Sequence, residues 1–279
     1  MQITARKTAL LLGYLLAIPA YAVVTNHSLP TKGSAPQVCY IRFWGVSQGS
    51  EMKPSSACTG TLIRPNRVLT AAHCFESIGT NSNMDVSCDN GKSSFEVKGY
   101  ELDSEYFKSA KNGDVIQDRH DVALIDLNVK KTKTPITPVA LVANDADLTA
   151  LLAKPERCEL YGYGRTADGD NQTWGNLTIG AMDYITPQSW EKIAGYSPED
   201  QLIYIGPTTH AAPGDSGGPI LCEKDDGSYV QIATTIEEGK FTDKTNSYYG
   251  FEYSEHESLP YNYDWINKTA DLPTLSHKI

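Results

Sequence analysis

The sequence predicts an all-β protein, and three observations carry that reading. Apolar residues fall in short runs that alternate with polar ones, the pattern of a strand with one buried face. Gly, Pro, Asn and Asp, which favour tight turns, break those runs throughout the chain. Once a leader is set aside, the length suits one large domain or two of about 100 to 130 residues, and either can enclose an apolar core.

The leader is Met1 to Ala22. It has a basic start at Arg6 and Lys7, an apolar run from Ala9 to Ile18, then Pro19 and the small-residue site Ala20-Tyr21-Ala22. This is the pattern of a secretory signal peptide; the run is far shorter than the roughly 20 residues that span a bilayer. With no second such run, the mature chain is expected to be secreted, soluble and free of membrane after signal removal. Loss of Arg6 and Lys7 takes the formal charge from −10 to −12. So acidic a chain argues against nucleic acid as a partner. Six cysteines behind an export signal read as disulfides whose connectivity the spacing leaves open.

Taken in order, Gln37 to Trp44 alternates as a strand, and the polar stretch Gly45 to Ser56 is expected to be a loop. Cys58 to Ile63, the turn Arg64-Pro65-Asn66 and Val68-Leu69-Thr70 form a predicted hairpin that ends in Ala71-Ala72-His73-Cys74. Asn81 to Asp118 carries turns at Asp89-Asn90-Gly91 and Lys111-Asn112-Gly113 and no evident chemistry. Val122 to Leu127 reads as a strand opened by Asp121, with Asp126 expected to face solvent. Ile179 to Leu202 reads as strand-like pieces around a polar loop.

Chemistry concentrates at Gly214-Asp215-Ser216-Gly217-Gly218-Pro219, where a serine is framed by glycines. A serine nucleophile needs an exposed hydroxyl, a base and two donors for the developing oxyanion. Gly214 lets the N–H groups of Gly214 and Ser216 point the same way. His73, beside small alanines, is the candidate base, since imidazole exchanges protons near neutral pH. Asp121 is the carboxylate that would orient it. His120 lacks that setting. Asp168-Gly169-Asp170-Asn171 is acidic but lacks the ligand spacing of a calcium loop, and no cluster suits zinc, so neither a metal nor a cofactor is expected. Asn26, Asn171, Asn176 and Asn267 open Asn-x-Ser/Thr triplets.

These three stretches, in the order His, Asp, Ser, make the chain resemble the chymotrypsin/trypsin-like serine proteases over nearly all of its mature length. The resemblance implies two six-stranded antiparallel β-barrels, about 37–137 and about 150–258, with a crossing over Lys130 to Leu152 and a short C-terminal helix at about 260–270. It implies a secreted serine endopeptidase with His73, Asp121 and Ser216 as the catalytic residues, and Gly214 and Ser216 as the oxyanion hole. Protein or peptide substrates and protein protease inhibitors are the implied partners. It also implies the pairs Cys58–Cys74 and Cys158–Cys222, and makes Cys39–Cys88 the third. Cys158 to Gly164 resembles the start of the second barrel, with Tyr163 in place of tryptophan.

In this family a freed α-amino group pairs with the aspartate before the nucleophile. Here that pair is Val23, after cleavage at Ala22, with Asp215. The residue six before the serine lies at the floor of the specificity pocket, and here it is His210. Ala212 stands where a pocket cysteine usually does. The wall strand Ile232 to Ile236 contributes Thr235, and Glu237 follows it. A histidine floor favours acidic or polar side chains, an inward Glu237 basic ones, and the sequence does not choose between them. Two other readings are a non-catalytic secreted binding protein on the same scaffold and an esterase. The chain order, with serine last, disfavours the usual esterase fold.

Overall fold

The computed structural model describes residues 35–44, 54–76, 83–106, 120–129, 135–165, 175–198, 200–206 and 209–278. The leader, Val23, the triplets at Asn26 and Asn171, the 111–113 turn and the 168–171 stretch lie outside the described residues.

The first half is built on β1 (Val38–Trp44), β2 (Pro54–Arg64), β3 (Arg67–Thr70), β4 (Asn83–Cys88), β5 (Ser93–Leu102) and β6 (Ala123–Asn128). They lie in the order β5-β4-β1-β2-β3-β6, and β5 also pairs with β6, which closes a six-stranded barrel. The alternation seen in β1 sends Cys39, Ile41 and Phe43 inward, where they meet Leu62, Val68, Val86 and Ile125, while Tyr40, Arg42 and Trp44 stay half-buried. Cys39 and Cys88 are register partners across β1 and β4, which places their sulfurs for the disulfide. β2 starts at Pro54, so the expected loop Gly45 to Ser56 gives way to strand at its end.

Asp126 corrects another expectation: it is buried, not exposed. The reason is its register partner. Arg67 on β3 lies opposite Asp126 on β6, and the two side chains form an ion pair at 2.5 Å, with Asn66 Nδ2 donating to the same carboxylate at 3.3 Å. A charged residue enters a strand interior at this cost only when its partner comes with it.

The second half holds β7 (Ala140–Leu141), β8 (Cys158–Gly162), β9 (Thr178–Gly180), β10 (Asp183–Ile185), β11 (Gln201–Gly206), β12 (Pro219–Glu223), β13 (Tyr229–Lys240) and β14 (Glu252–Ser258). The order is β10-β11-β14-β13-β12-β8-β9, with β7 parallel to β13. Its two edge strands, β9 and β10, are consecutive and separated only by Ala181 and Met182, so the chain itself links the edges of a curled sheet. Cys158 and Cys222 face each other across β8 and β12 and are bonded. A last short strand, β15 (His277–Lys278), pairs with β5. The expected all-β architecture is present: the first half closes as a six-stranded barrel, and the second, expected as another six-stranded barrel, is a curled sheet of eight strands.

Three α-helices interrupt the strands among the described residues. α1 (Asp145–Leu152), in the crossing between the halves, was not foreseen; Asn144 caps it by accepting from Asp147 N at 2.9 Å. The strand-like pieces expected over Ile179 to Leu202 are present as β9, β10 and the start of β11, and α2 (Pro187–Ala194) stands where the polar loop between them was expected. Its signals are local: Thr186 accepts from Ser189 N at 3.3 Å, Pro187 opens the first turn, and Gly195 at φ 84° closes the last. Trp190, whose ring is favoured in strands, is instead buried against Ile203 and Ile205. α3 (Leu259–Ala270) covers the expected C-terminal helix and buries Leu259 and Ile266. No helix among the described residues is long and apolar enough to cross a membrane.

Candidate active site

His73 sits in a single 3-10 turn that follows β3 directly. Ala71 and Ala72 are fully buried, and the Cys58–Cys74 disulfide ties the turn back to β2. The turn therefore has little freedom. Asp121, fully buried ahead of β6, accepts from His73 N at 2.8 Å through Oδ1 and contacts Nδ1 at 2.5 Å through Oδ2. A carboxylate can only accept, so Nδ1 carries the proton and Nε2 presents a lone pair. The ring stays about a quarter exposed.

The stretch around Ser216 leads into β12, and its backbone accounting is close to complete. Pro213 O accepts from Arg165 N, Asp215 N donates to Ala212 O, Gly217 N to Thr235 O, and Gly218 N to Asp215 O. That leaves the N–H groups of Gly214 and Ser216 without an acceptor among the described residues. Gly214 has φ 103°, a conformation closed to most side chains. Gly217, at φ 79°, is packed so closely that a Cβ there would lie 2.1 Å from Thr70 Oγ1. Ser216 itself is half-buried.

One residue of the first barrel holds this stretch in place. Thr59, fully buried on β2, donates its N–H to Ser216 O at 2.8 Å and its hydroxyl to Gly214 O at 2.8 Å. The same hydroxyl accepts from Tyr163 N at 2.9 Å, while Thr59 O accepts from Thr70 Oγ1 at 2.7 Å. Ser216 O also lies 3.9 Å from Cys74 Sγ, next to His73. The two carbonyls of the residues with free N–H groups are thus both held by Thr59. Sequence reasoning missed this residue; a threonine in a strand carries no local signal of such a task.

Asp215 is fully buried. Its Oδ1 accepts from Gly164 N at 2.8 Å and its Oδ2 from Ala212 N at 2.9 Å. Its expected partner Val23 lies outside the described residues.

His210 has its Nδ1 2.7 Å from Ala211 O and its Nε2 2.5 Å from Glu252 Oε2; Lys240 Nζ reaches the other Glu252 oxygen at 2.9 Å. Charges at this position are therefore matched within the protein. Thr235 is buried with its hydroxyl committed, donating to Gly218 O at 3.0 Å, and His256 Nδ1 lies 3.2 Å from it. Glu237 is exposed, on the same strand face as its register partner Glu255. The next residue, Glu238, feels the charges of both His210 and His73. Glu252 and Glu238 were not anticipated, because the turn between β13 and β14 that brings Glu252 back has no sequence signature.

Burial shapes the remaining titratable groups. It pushes the Tyr163 phenol up to about 12 and the His256 imidazole down to about 3. It also holds Glu257 well above the usual carboxylate range, with the charges of Asp121 and Asp200 adding to the rise. Among the described residues no three His, Cys, Asp or Glu side chains are grouped to hold a metal ion.

The arrangement holds a carboxylate-bound imidazole and, at Gly214 and Ser216, two N–H groups with no acceptor among the described residues. Those are the groups that acyl transfer needs. Comparison with known proteins agrees with this chemistry. The family model for trypsin matches residues 32–255. The chain is 27% identical over 215 residues to coagulation factor XII of Sus scrofa, covering 68% of this chain and 31% of that protein. It is 27% identical over 191 residues to chymotrypsin-C of Bos taurus, covering 62% and 64%. It is 31% identical over 170 residues to chymase of Rattus norvegicus, covering 60% and 65%. The chain thus matches about a third of the first protein's length and slightly under two thirds of the other two.

Proposed function

For a chain that belongs to the trypsin family of serine proteases, we propose an endopeptidase that cleaves protein or peptide substrates through His73, Asp121 and Ser216. The observation that carries the reading is the free pair of N–H groups at Gly214 and Ser216 beside the turn of His73. Ser216 Oγ attacks the scissile carbonyl carbon as His73 Nε2 takes its proton. The carbonyl oxygen becomes an oxyanion held by the two N–H donors. Each such donor contributes roughly 10² to 10³ in rate. Asp121 stabilises the imidazolium, which returns the proton to the leaving amine nitrogen as the C–N bond breaks. Water, deprotonated by His73, then cleaves the acyl ester and restores Ser216.

In this reading residues 1–22 are removed on secretion, the mature domain runs 23–279, and the new Val23 amino group pairs with Asp215. Protein protease inhibitors are the natural antagonists of such a site. Asp215, fully buried with Oδ1 accepting from Gly164 N and Oδ2 from Ala212 N, is the carboxylate this reading pairs with the Val23 amino group.

The test is labelling by a fluorophosphonate probe. The secreted, N-terminally sequenced protein should label rapidly, and Ser216→Ala should not. Failure of correctly processed, folded protein to label would overturn the reading and favour a binding protein on a protease scaffold. A first residue other than Val23 would remove the activation pair.

A further inference from the structure

Behind Asp121 lies a carboxyl that this chemistry does not use. Glu257, on β14, is fully buried. Its Oε1 accepts from the backbone N–H of His120 at 3.0 Å and from Asn262 Nδ2, on α3, at 2.6 Å. The first bond crosses from the second sheet to the residue that immediately precedes Asp121, and the second ties the same oxygen to α3.

His120 needs such support. Its φ is 62°, in the left-handed region that a side chain with a Cβ enters only when its surroundings hold it there. Four other restraints act on it. Its carbonyl accepts from Val122 N at 2.7 Å, its ring lies 4.9 Å from that of Tyr261, its Nε2 is 3.2 Å from the Tyr261 hydroxyl, and its Nδ1 is 3.4 Å from Asp103 Oδ2. The Glu257 contact is the one that fixes the His120 N–H, on the peptide leading into that strained residue. A rotation there would displace Asp121, whose two oxygens must meet His73 N and Nδ1 together.

We propose that Glu257 is a positioning residue for Asp121: by holding the His120 N–H it sets where the Asp121 carboxylate meets His73. The inference rests on the roles of Asp121 and His73 proposed above. Glu257 acts as a neutral acid. It feels the charges of Asp121 at the head of β6 and Asp200 ahead of β11, and among the described residues no cationic side chain is bonded to it, so an ionised carboxyl would repel the group it positions. What it supplies is an acceptor at the right reach, which glutamine also supplies and leucine does not.

The test compares Glu257→Gln and Glu257→Leu by two readouts. The first is kcat and KM on a peptide amide substrate. The second is the proton NMR resonance of the His73 Nδ1–H bound to Asp121, which requires no turnover and is also read in Ser216→Ala. Glu257→Gln should keep kcat within a few-fold and leave the resonance in place. Glu257→Leu should lower kcat about 10²-fold at nearly constant KM, the order expected for a displaced catalytic group, and should shift or broaden the resonance. A folded Glu257→Leu protein with parental kcat and an unmoved resonance overturns the proposal, as does a glutamine variant as impaired as leucine. Should the leucine variant fail to fold, Asn262→Ala, which releases only the 2.6 Å clamp, should move the resonance in the same direction; no movement overturns the proposal. A parent that neither labels nor turns over substrate defeats the proposed protease activity, while the resonance still decides the role of Glu257.

Discussion

Thr59→Val removes one oxygen at the junction between the halves and keeps the shape of the side chain. In the parent that oxygen donates to Gly214 O at 2.8 Å and accepts from Tyr163 N at 2.9 Å, all out of contact with water. Valine leaves a buried carbonyl and a buried N–H unsatisfied, each costing about 1–3 kcal/mol. Together these predict a loss of about 2–6 kcal/mol, which for a domain of this size lowers the melting temperature by roughly 4–24 °C. The same change releases the peptide that follows Gly214, which lies between the two peptides carrying the N–H donors of Gly214 and Ser216, and so loosens their alignment. Loss of a whole donor is worth roughly 10² to 10³ in rate, so a misaligned one should cost about tenfold in kcat with little change in KM. Thermal unfolding and steady-state kinetics on an amide substrate read both effects, with Thr59→Ser restoring both. A folded Thr59→Val enzyme with parental kcat would refute the link between this hydroxyl and the oxyanion donors.

Two further outcomes follow from buried charge. Arg67→Met strands Asp126 with Asn66 and the half-exposed Lys98 at 3.5 Å, and should destabilise by about 3–5 kcal/mol. Adding Asp126→Leu should recover most of that in denaturant titrations; a double variant as unstable as the single one would contradict the pairing argument. His256 is fully buried and its pKa falls from 6.5 to about 3, so it stays neutral in the fold while the unfolded chain takes up a proton below pH 6.5. Stability from this group is therefore complete above pH 6.5 and drains away as pH falls toward about 3. The slope is about 1.4 kcal/mol per pH unit, or about 3 kcal/mol by pH 4. His256→Gln should flatten that acid limb, and an unchanged limb would show that another group carries it.

How much of this was legible in the sequence depends on the distance over which each feature is determined. The stretches bearing Ser216 and His73 carry their signals within six residues, because glycines and small alanines are demanded by the local backbone and by the space around one side chain. The β1 alternation is local in the same sense: it marks the strand, and the barrel then buries the Cys39, Ile41 and Phe43 face. Asp126 misled because its burial is decided by Arg67, 59 residues earlier, and no strand pattern announces a partner across a barrel. The helix at Pro187–Ala194 was missed for the opposite reason. Its Thr-Pro start and Gly end are visible, but a short polar segment between strands reads as a loop until the packing of Trp190 against Ile203 and Ile205 is known.

Thr59 and Glu257 are the extreme cases, and together they say how the site is held. Thr59 reaches 155 residues forward from the first barrel to Gly214, and Glu257 reaches 137 residues back from the second sheet to His120. Each half therefore fixes the backbone beside a functional residue of the other. Neither half could set the geometry alone: without Thr59 the Gly214 carbonyl has no partner, and without Glu257 the His120 N–H has none among the described residues. A cleft of this kind forms only once both halves have docked. Its supporting residues are chosen by that docking, not by their sequence neighbours, so a single sequence read along its length does not mark them.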